Sequence, residues 1–335
     1  LHPGEVGIWR AAAGGTAVAQ ALHGSANPIG GQAAVWELDY YATHIADLLY
    51  PDAPQGIKFA LGENVKQSNS PNPTQRFPAS RVGVEAVYRR AFTAAQDYSA
   101  ARARATQGQG TDFHRDVRLE VLADILEGRI HVQCHSYRAD EIQMFLRICR
   151  DFGILAPTFQ HVLEGYKVAP ELAAYGAMAS TFSDWWAYKY EVVNAIPWNV
   201  EILHKAGVAV SINSDSDEMI RRLNTEAAKS MRYGGLDWES AMRTCTLSSA
   251  KQLRLEEHLG SLEVGKDGTV SVYDAPPLSG YARCVLTVAR GRVLYERNAE
   301  AEQRWTDYES AVAQFAAAET EAAASRSTRT PDAAS

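Results

Sequence analysis

Strand-like runs alternate with helical ones along most of this chain, and nearly every helical run stops on a glycine. The strand-like runs are TAVAQAL (16–22), GIKFAL (56–61), RIHVQC (129–134), ILAPTFQ (154–160), GAMAST (176–181) and VAVSIN (208–213). Helical periodicity fills RVGVEAVYRRAFTAAQDYSAARARA (81–105), DVRLEVLADILEG (116–128), ADEIQMFLRICRDFG (139–153), VAPELAAYG (168–176) and NVEILHKAG (199–207). Gly128, Gly153, Gly176 and Gly207 stand where a left-handed cap ends a helix. Strands separated by a helix run parallel, because the crossover returns the chain to the end it left. Repetition of this unit favours a TIM-type (β/α)8 barrel over an open doubly wound sheet. No G-x-G-x-x-G follows the first strand, which counts against a dinucleotide site.

The rhythm changes after residue 255. LGSLEVGKDGTVSVYDA and CVLTVARGRVLYER read as short β segments with turn glycines, a small appendage over 256–297. From 298 onward AEAEQRWTDYESAVAQFAAAETEAAA places Trp305, Tyr308, Val312 and Phe315 on one helical stripe, expected to dock on the protein. The final SRSTRTPDAAS is expected to be disordered. The barrel itself is assigned to 1–255. The chain starts on Leu1 with a helix running straight into Gly14-Gly15 and a strand, so an N-terminal portion is expected to be missing and the compartment is left open.

Composition narrows the function. A formal charge of −7, with no basic run longer than YRRA or IRRL, argues against a nucleic-acid surface and for a small-molecule substrate. No apolar run approaches ~18 residues, so no membrane span is expected. The four cysteines, Cys134, Cys149, Cys245 and Cys284, form no C-x-x-C pair and read as buried thiols.

In such a barrel, chemistry sits where the C-terminal ends of the strands meet. His135 follows IHVQC, His161 follows APTFQ and Asp215 follows VSINS. One strand-end histidine is more often a structural hydrogen-bonding group, and Asp215 alone would serve as a helix cap. Two imidazoles and a carboxylate converging on one mouth suit a divalent transition metal such as zinc, and the aspartate can also move a proton beside activated water. His44, His114, His204 and His258 read as solvated or packing residues. His131 is expected to point away from this set or to sit at the start of its strand. The SDWWAYKYE segment, with Trp185, Trp186, Lys189 and Glu191, is expected to line or cover the mouth, with a supporting aromatic cluster as the alternative.

LHGSANPIGGQ, IKFALGENVKQSN, CHSYRADEI, FQHVLEGYKVAPELAAYG, STFSDWWAYKYEV, AIPWN, INSDSDEMIRRLNTEAAK and GSLEVGKDG, in this order, resemble the amidohydrolase superfamily. Within it they are most similar to the bacterial imidazolonepropionase-related branch. The resemblance implies a metal-dependent hydrolase of C–N bonds in a small amide, cyclic amide or peptide-like substrate, using one or two divalent ions. It implies metal ligands at His135, His161 and Asp215, with His161 and Asp215 also catalytic. The bridging ligand would be Lys58 or Glu63, Lys58 being preferred. His23, Ser25, Asn27 and Gln32 in a loop after the second strand, with Tyr166, Lys167 and Lys189, would face the substrate.

Active relatives also carry a His-x-His pair on the first barrel strand, and none of the nine histidines here forms one. The expected fold is therefore a barrel lacking its first strand, with weak metal binding and little activity on its own. Assembly with a second copy is open, and so is a second reading: a non-catalytic barrel serving as a binding or interaction module.

Overall fold

The computed structural model describes residues 2–66, 76–109 and 113–327. Its main sheet has the order β1-β2-β3-β4-β5-β6-β7. The strands are β1 Val18–Ala21, β2 Ile29–Glu37, β3 Gln55–Ala60, β4 Ile130–His135, β5 Thr158–Gln160, β6 Met178–Thr181 and β7 Val210–Ile212. From β3 to β7 every pairing is parallel, with Lys58 opposite Gln133 and His135 opposite Gln160. This is a TIM-type half-barrel: the sheet curls but does not close, and β1 and β7 are its edges among the described residues.

β2 was not anticipated. It runs antiparallel to both β1 and β3, so IGGQAAVWE is a strand where the sequence reads as a glycine-rich loop. Gly30 shows why a glycine stands there: a Cβ would lie 2.2 Å from the His23 ring and 2.8 Å from the Lys58 carbonyl oxygen. The far end of β2 is anchored through Glu37, fully buried against the guanidinium groups of Arg290 and Arg292.

Alternation divides β3 and β4 between two environments, since successive side chains point to opposite faces. Ile57, Phe59, Ile130, Val132 and Cys134 belong to the main hydrophobic core beneath the helices. Phe59 lies 5.3 Å from Tyr88 and 6.0 Å from Phe145, ring to ring, so the helices Arg81–Thr106 and Ala139–Phe152 lock onto the strands through aromatic contacts. Ser80 caps the first of these helices by accepting a hydrogen bond from the Gly83 N–H at 3.1 Å. The residues of opposite parity, Lys58, Gln133 and His135, form the polar inner face. His131 shares that parity. It sits at the entry of β4, two residues below Gln133, which is the second of the two expected placements; the first, on the opposite face, is corrected. Burial, then the nearby Arg254, lowers its pKa.

A three-stranded antiparallel sheet follows, ordered β10-β9-β8: β8 Val270–Tyr273, β9 Cys284–Ala289 and β10 Arg292–Glu296. The helix Val6–Ala13 packs against it, and the tail helix Ala299–Ser327 lies across both. Trp305 packs 4.9 Å from Trp9, and Arg10 sits 4.4 Å above the Tyr308 ring. Only this first part of the stripe docks: Val312 and Phe315 are exposed, contrary to the sequence expectation. Residues 328–335, where most of the expected disorder falls, lie outside the described residues. All four cysteines are free, and no described helix is long and apolar enough to cross a membrane.

Candidate active site

His135, at the end of β4, and His161, just past β5, come together with ring centroids 4.9 Å apart. Both are buried, at 2% and 4% exposure, and each has an Nδ1 with no hydrogen-bond partner. Burial drives both rings toward the neutral form: His135 falls far below the ordinary imidazole range, and His161 drops to about 3, with the charge of Lys58 adding to the effect. Asp215 brings its Oδ2 to 3.7 Å from His161 Nε2. Although the side chain is 57% exposed, desolvation by the surrounding mouth raises its carboxyl pKa, against the opposing pull of Lys58 and Lys189.

The backbone aims these side chains inward. His161 has φ of 66° and Asp215 φ of 43°, both in the left-handed region. The chain turns away from the sheet at these points, while the neighbouring Val162 N–H still reaches the Ser180 carbonyl at 3.2 Å.

The two proposed bridging residues separate. Lys58 is 3% exposed on the inner face of β3, and its charge is felt by His135, His161 and Asp215. Burial lowers its pKa, against the opposing pull of Asp215. The Glu63 carboxylate is instead held by Lys66 at 2.9 Å and Arg81 at 3.0 Å, which keep it ionised against the cost of burial. Among the described residues no group of three or more His, Cys, Asp or Glu side chains is arranged to hold a metal.

A ring of aromatic side chains walls the mouth. Phe182 stacks on His161 at 4.9 Å, Trp185 on Phe182 at 4.4 Å, and Tyr188 meets Trp185 edge-on at 5.6 Å. The Tyr188 hydroxyl donates to the Tyr137 oxygen at 2.9 Å, and Tyr137 closes the circuit 4.6 Å from His135. Lys189 Nζ lies 4.3 Å above the Tyr137 ring and 3.4 Å from Glu191. The segment thus both supports the wall, through Trp185, and supplies a cation, through Lys189. Trp186 is exposed, with its ring 5.4 Å from that of Tyr233. Tyr137 was missed at the sequence level, although it lies two residues past His135 in CHSYRADE.

Other sequence candidates are engaged elsewhere. His23 closes the β1–β2 connection: its Nε2 accepts from the Gly31 N–H at 2.6 Å while Nδ1 faces the Gly24 carbonyl at 2.7 Å. Asn27 accepts from Arg76 at 2.8 Å, and Gln32 is an exposed residue of β2. Ser25 lies in the same connection, half-buried. The Tyr166 hydroxyl donates to the Asn194 carbonyl at 3.0 Å, and Lys167 pairs with Glu164 at 3.1 Å. No hydrogen bond, ion pair or ring contact links Tyr166 or Lys167 to the two imidazoles among the described residues.

Behind the mouth, Arg81 faces three carboxylates: Glu63 at 3.0 Å, Glu141 at 3.2 Å and Glu191 at 3.3 Å. Neither oxygen of Glu141 receives a well-aligned hydrogen bond, and burial raises its pKa from 4.5 to about 7 despite the guanidinium. A carboxyl raised in the folded state contributes stability that is complete below the unfolded value and lost as pH climbs through the folded one. Glu141→Gln is therefore expected to flatten the decline in melting temperature between pH 4.5 and 7. Thermal melts of both chains across that window test this, and parallel profiles would refute it.

Residues 198–300 match the family model described as Amidohydrolase family. Over 290 residues the chain is 29% identical to amidohydrolase tasK of Hapsidospora irregularis, covering 79% of this chain and 29% of that protein. It thus spans under a third of the length of this curated relative. A crystal structure of an amidohydrolase from Thermotoga maritima MSB8 superimposes with a TM-score of 0.80 at 28% identity, covering 88% of this chain and 76% of the other. The order of the motifs, the half-barrel and these likenesses agree: over most of its described length the chain is similar to the amidohydrolases.

Proposed function

We propose that this mouth is the hydrolytic site of a metal-dependent enzyme cleaving a C–N bond in a small amide, cyclic amide or peptide-like substrate. The observation that carries the reading is the pair of buried, neutral imidazoles, each with an unpartnered ring nitrogen, beside Asp215 and Lys58. Neutral nitrogen and anionic oxygen donors fit a divalent transition ion such as zinc, so His135, His161 and Asp215 would hold it. Lys58 would complete the donor set in this reading, and its lowered pKa favours the free amine that carboxylation requires. When bound, the ion polarises a carbonyl and lowers the pKa of water.

The chain's own groups do the rest. The Asp215 carboxylate receives a proton from attacking water at Oδ2 and returns it to the departing nitrogen. Lys189 orients a carbonyl or carboxylate oxygen of the substrate, held in place by the Tyr137 ring and Glu191. Phe182 and Trp185 exclude bulk water from the His161 side.

Zinc titration of the chain, with a panel of cyclic amides and dipeptides assayed in parallel, tests the proposal. His135→Ala and His161→Ala are each expected to weaken zinc binding at least about 10-fold, since each removes a ligand. Equal affinity in all three chains would sink it. A non-catalytic binding barrel is the second reading, favoured by the lack of any His-x-His pair. It would bind a ligand without turnover and without regard to zinc.

A further inference from the structure

A cavity of about 410 Å³ opens where the barrel, the appendage and the tail helix meet. The segment that follows β7 lines it with Arg221 and Arg222, just before the helix Leu223–Gly234. The appendage adds Arg283, next to β9, and Arg297, next to β10, and the tail helix adds Glu302, Trp305 and Glu309. The volume falls within the roughly 300–1,000 Å³ of small-molecule sites. No residue of the mouth lines it.

Its charge runs against that of the whole chain. Four arginines line it against two glutamates, although Asp and Glu outnumber Lys and Arg overall by 40 to 33. The nearby acids do not neutralise them. Glu302 is taken by Arg297, and Glu309 is exposed and paired with none of the four. Glu218 pairs with Arg10 through one oxygen, while its other oxygen is shared by Arg221 and, at 3.9 Å, Arg222. One carboxylate thus serves three guanidinium groups. Arg10 also rests on the Tyr308 ring, and Arg221 lies 5.5 Å from the Trp305 centroid, which leaves Arg222 the least satisfied of the three. The backbone of Arg283 is fixed, its N–H donating to Asp274 Oδ1 at 2.8 Å. Its side chain makes no hydrogen bond or ion pair among the described residues. Guanidinium groups gathered around an open space repel one another, and an anion placed among them removes that cost. Their planar forks match the oxygens of a phosphate.

We propose that this cavity binds a small molecule through a phosphate group, held by Arg222 and Arg283, the two guanidinium groups with the least acidic company. The size of the cavity and the Tyr273 and Trp305 rings in its lining favour an organic phosphate over the free ion. The site stands whether or not the mouth hydrolyses anything. A ligand here touches the barrel, the appendage and the tail helix at once, so binding ties the three together and raises the melting temperature with ligand concentration.

The test is titration calorimetry of the metal-free chain with AMP and with inorganic phosphate, at about 0.1 M salt so that distant charges are screened. Saturable AMP binding with a Kd below about 1 mM is expected. Tighter binding of AMP than of phosphate marks an organic ligand, and equal affinity marks the free ion; both keep the anion site. Arg222 and Arg283 are exposed, so Arg222→Gln and Arg283→Gln should fold normally, and each should weaken AMP about 10-fold, the loss of one charged hydrogen bond. Arg118→Gln, at a side chain 89% exposed on another helix, should change nothing, and neither should Lys189→Met in the mouth. The rise in melting temperature with AMP should shrink in Arg283→Gln. Absence of saturable binding by the wild-type chain up to about 10 mM overturns the proposal without any variant being needed. An equal loss in Arg118→Gln overturns it as non-specific attraction. A loss in Lys189→Met with none in Arg283→Gln puts the anion in the mouth instead and overturns it as well.

Discussion

Asp215→Asn is expected to lower hydrolytic turnover by about 10²–10⁴-fold, the range associated with losing a positioned acid–base group. Asparagine has nearly the same shape and tolerates the left-handed backbone at this position, where φ is 43°. The Asp215 side chain is also more than half open to solvent, at 57%, so little packing is disturbed. Melting temperature should therefore stay within a degree or two, roughly, as for a surface substitution without packing loss. The measurement is single-turnover amide hydrolysis with a thermal melt, made on the wild-type and Asp215→Asn chains. Undiminished turnover in Asp215→Asn would remove the carboxylate from the mechanism.

The largest stability effect should come from Arg81→Met. Glu141 and Glu191 have side chains only 4% and 2% exposed, and Arg81 is an ion-pair partner of both. Removing one partner of a buried ion pair leaves charge uncompensated and costs roughly 3–5 kcal/mol; the lower end applies here because Arg81 is itself 30% exposed. The pH dependence follows from the same geometry. Glu141 already titrates near 7, raised by burial, and loss of the guanidinium would raise it further. Wild-type stability therefore falls as pH rises through this range, and that of the variant should fall more steeply. Urea melts at pH 5 and pH 8 should show a small difference between the chains at the lower pH and a large one at the higher. A constant difference would mean that the carboxylates are not the source of the cost.

What the sequence made legible was local. Strand–helix alternation gave the parallel strands, and the strand-end rule brought His135, His161 and Asp215 together because each residue's own segment determines where its strand stops. β2 was hidden because Gly30 and Gly31 mimic a turn; the reasons for Gly30, the His23 ring and the Lys58 carbonyl, come from elsewhere in the chain. Glu37 was silent for the same reason, since its partners Arg290 and Arg292 lie some 250 residues away. Parity alone would have placed His131 with His135. The tail helix shows the opposite failure. Its stripe is genuinely periodic, but only Trp305 and Tyr308 meet a partner surface while Val312 and Phe315 run past it.

The left-handed backbone at His161 and Asp215 sets stability against chemistry at the same two residues. A side chain held in this region costs about 1 kcal/mol or more, less for asparagine and aspartate, and glycine escapes the cost. Repeated rounds of variation screened only for resistance to heat would therefore tend to accept glycine at these positions while leaving Phe59, Tyr88 and Phe145 untouched. The product would be a sturdier half-barrel with a blank mouth. For this fold, a rise in melting temperature is a warning sign as well as an improvement, and any thermostabilised descendant needs its imidazole and carboxylate checked before its heat tolerance is credited.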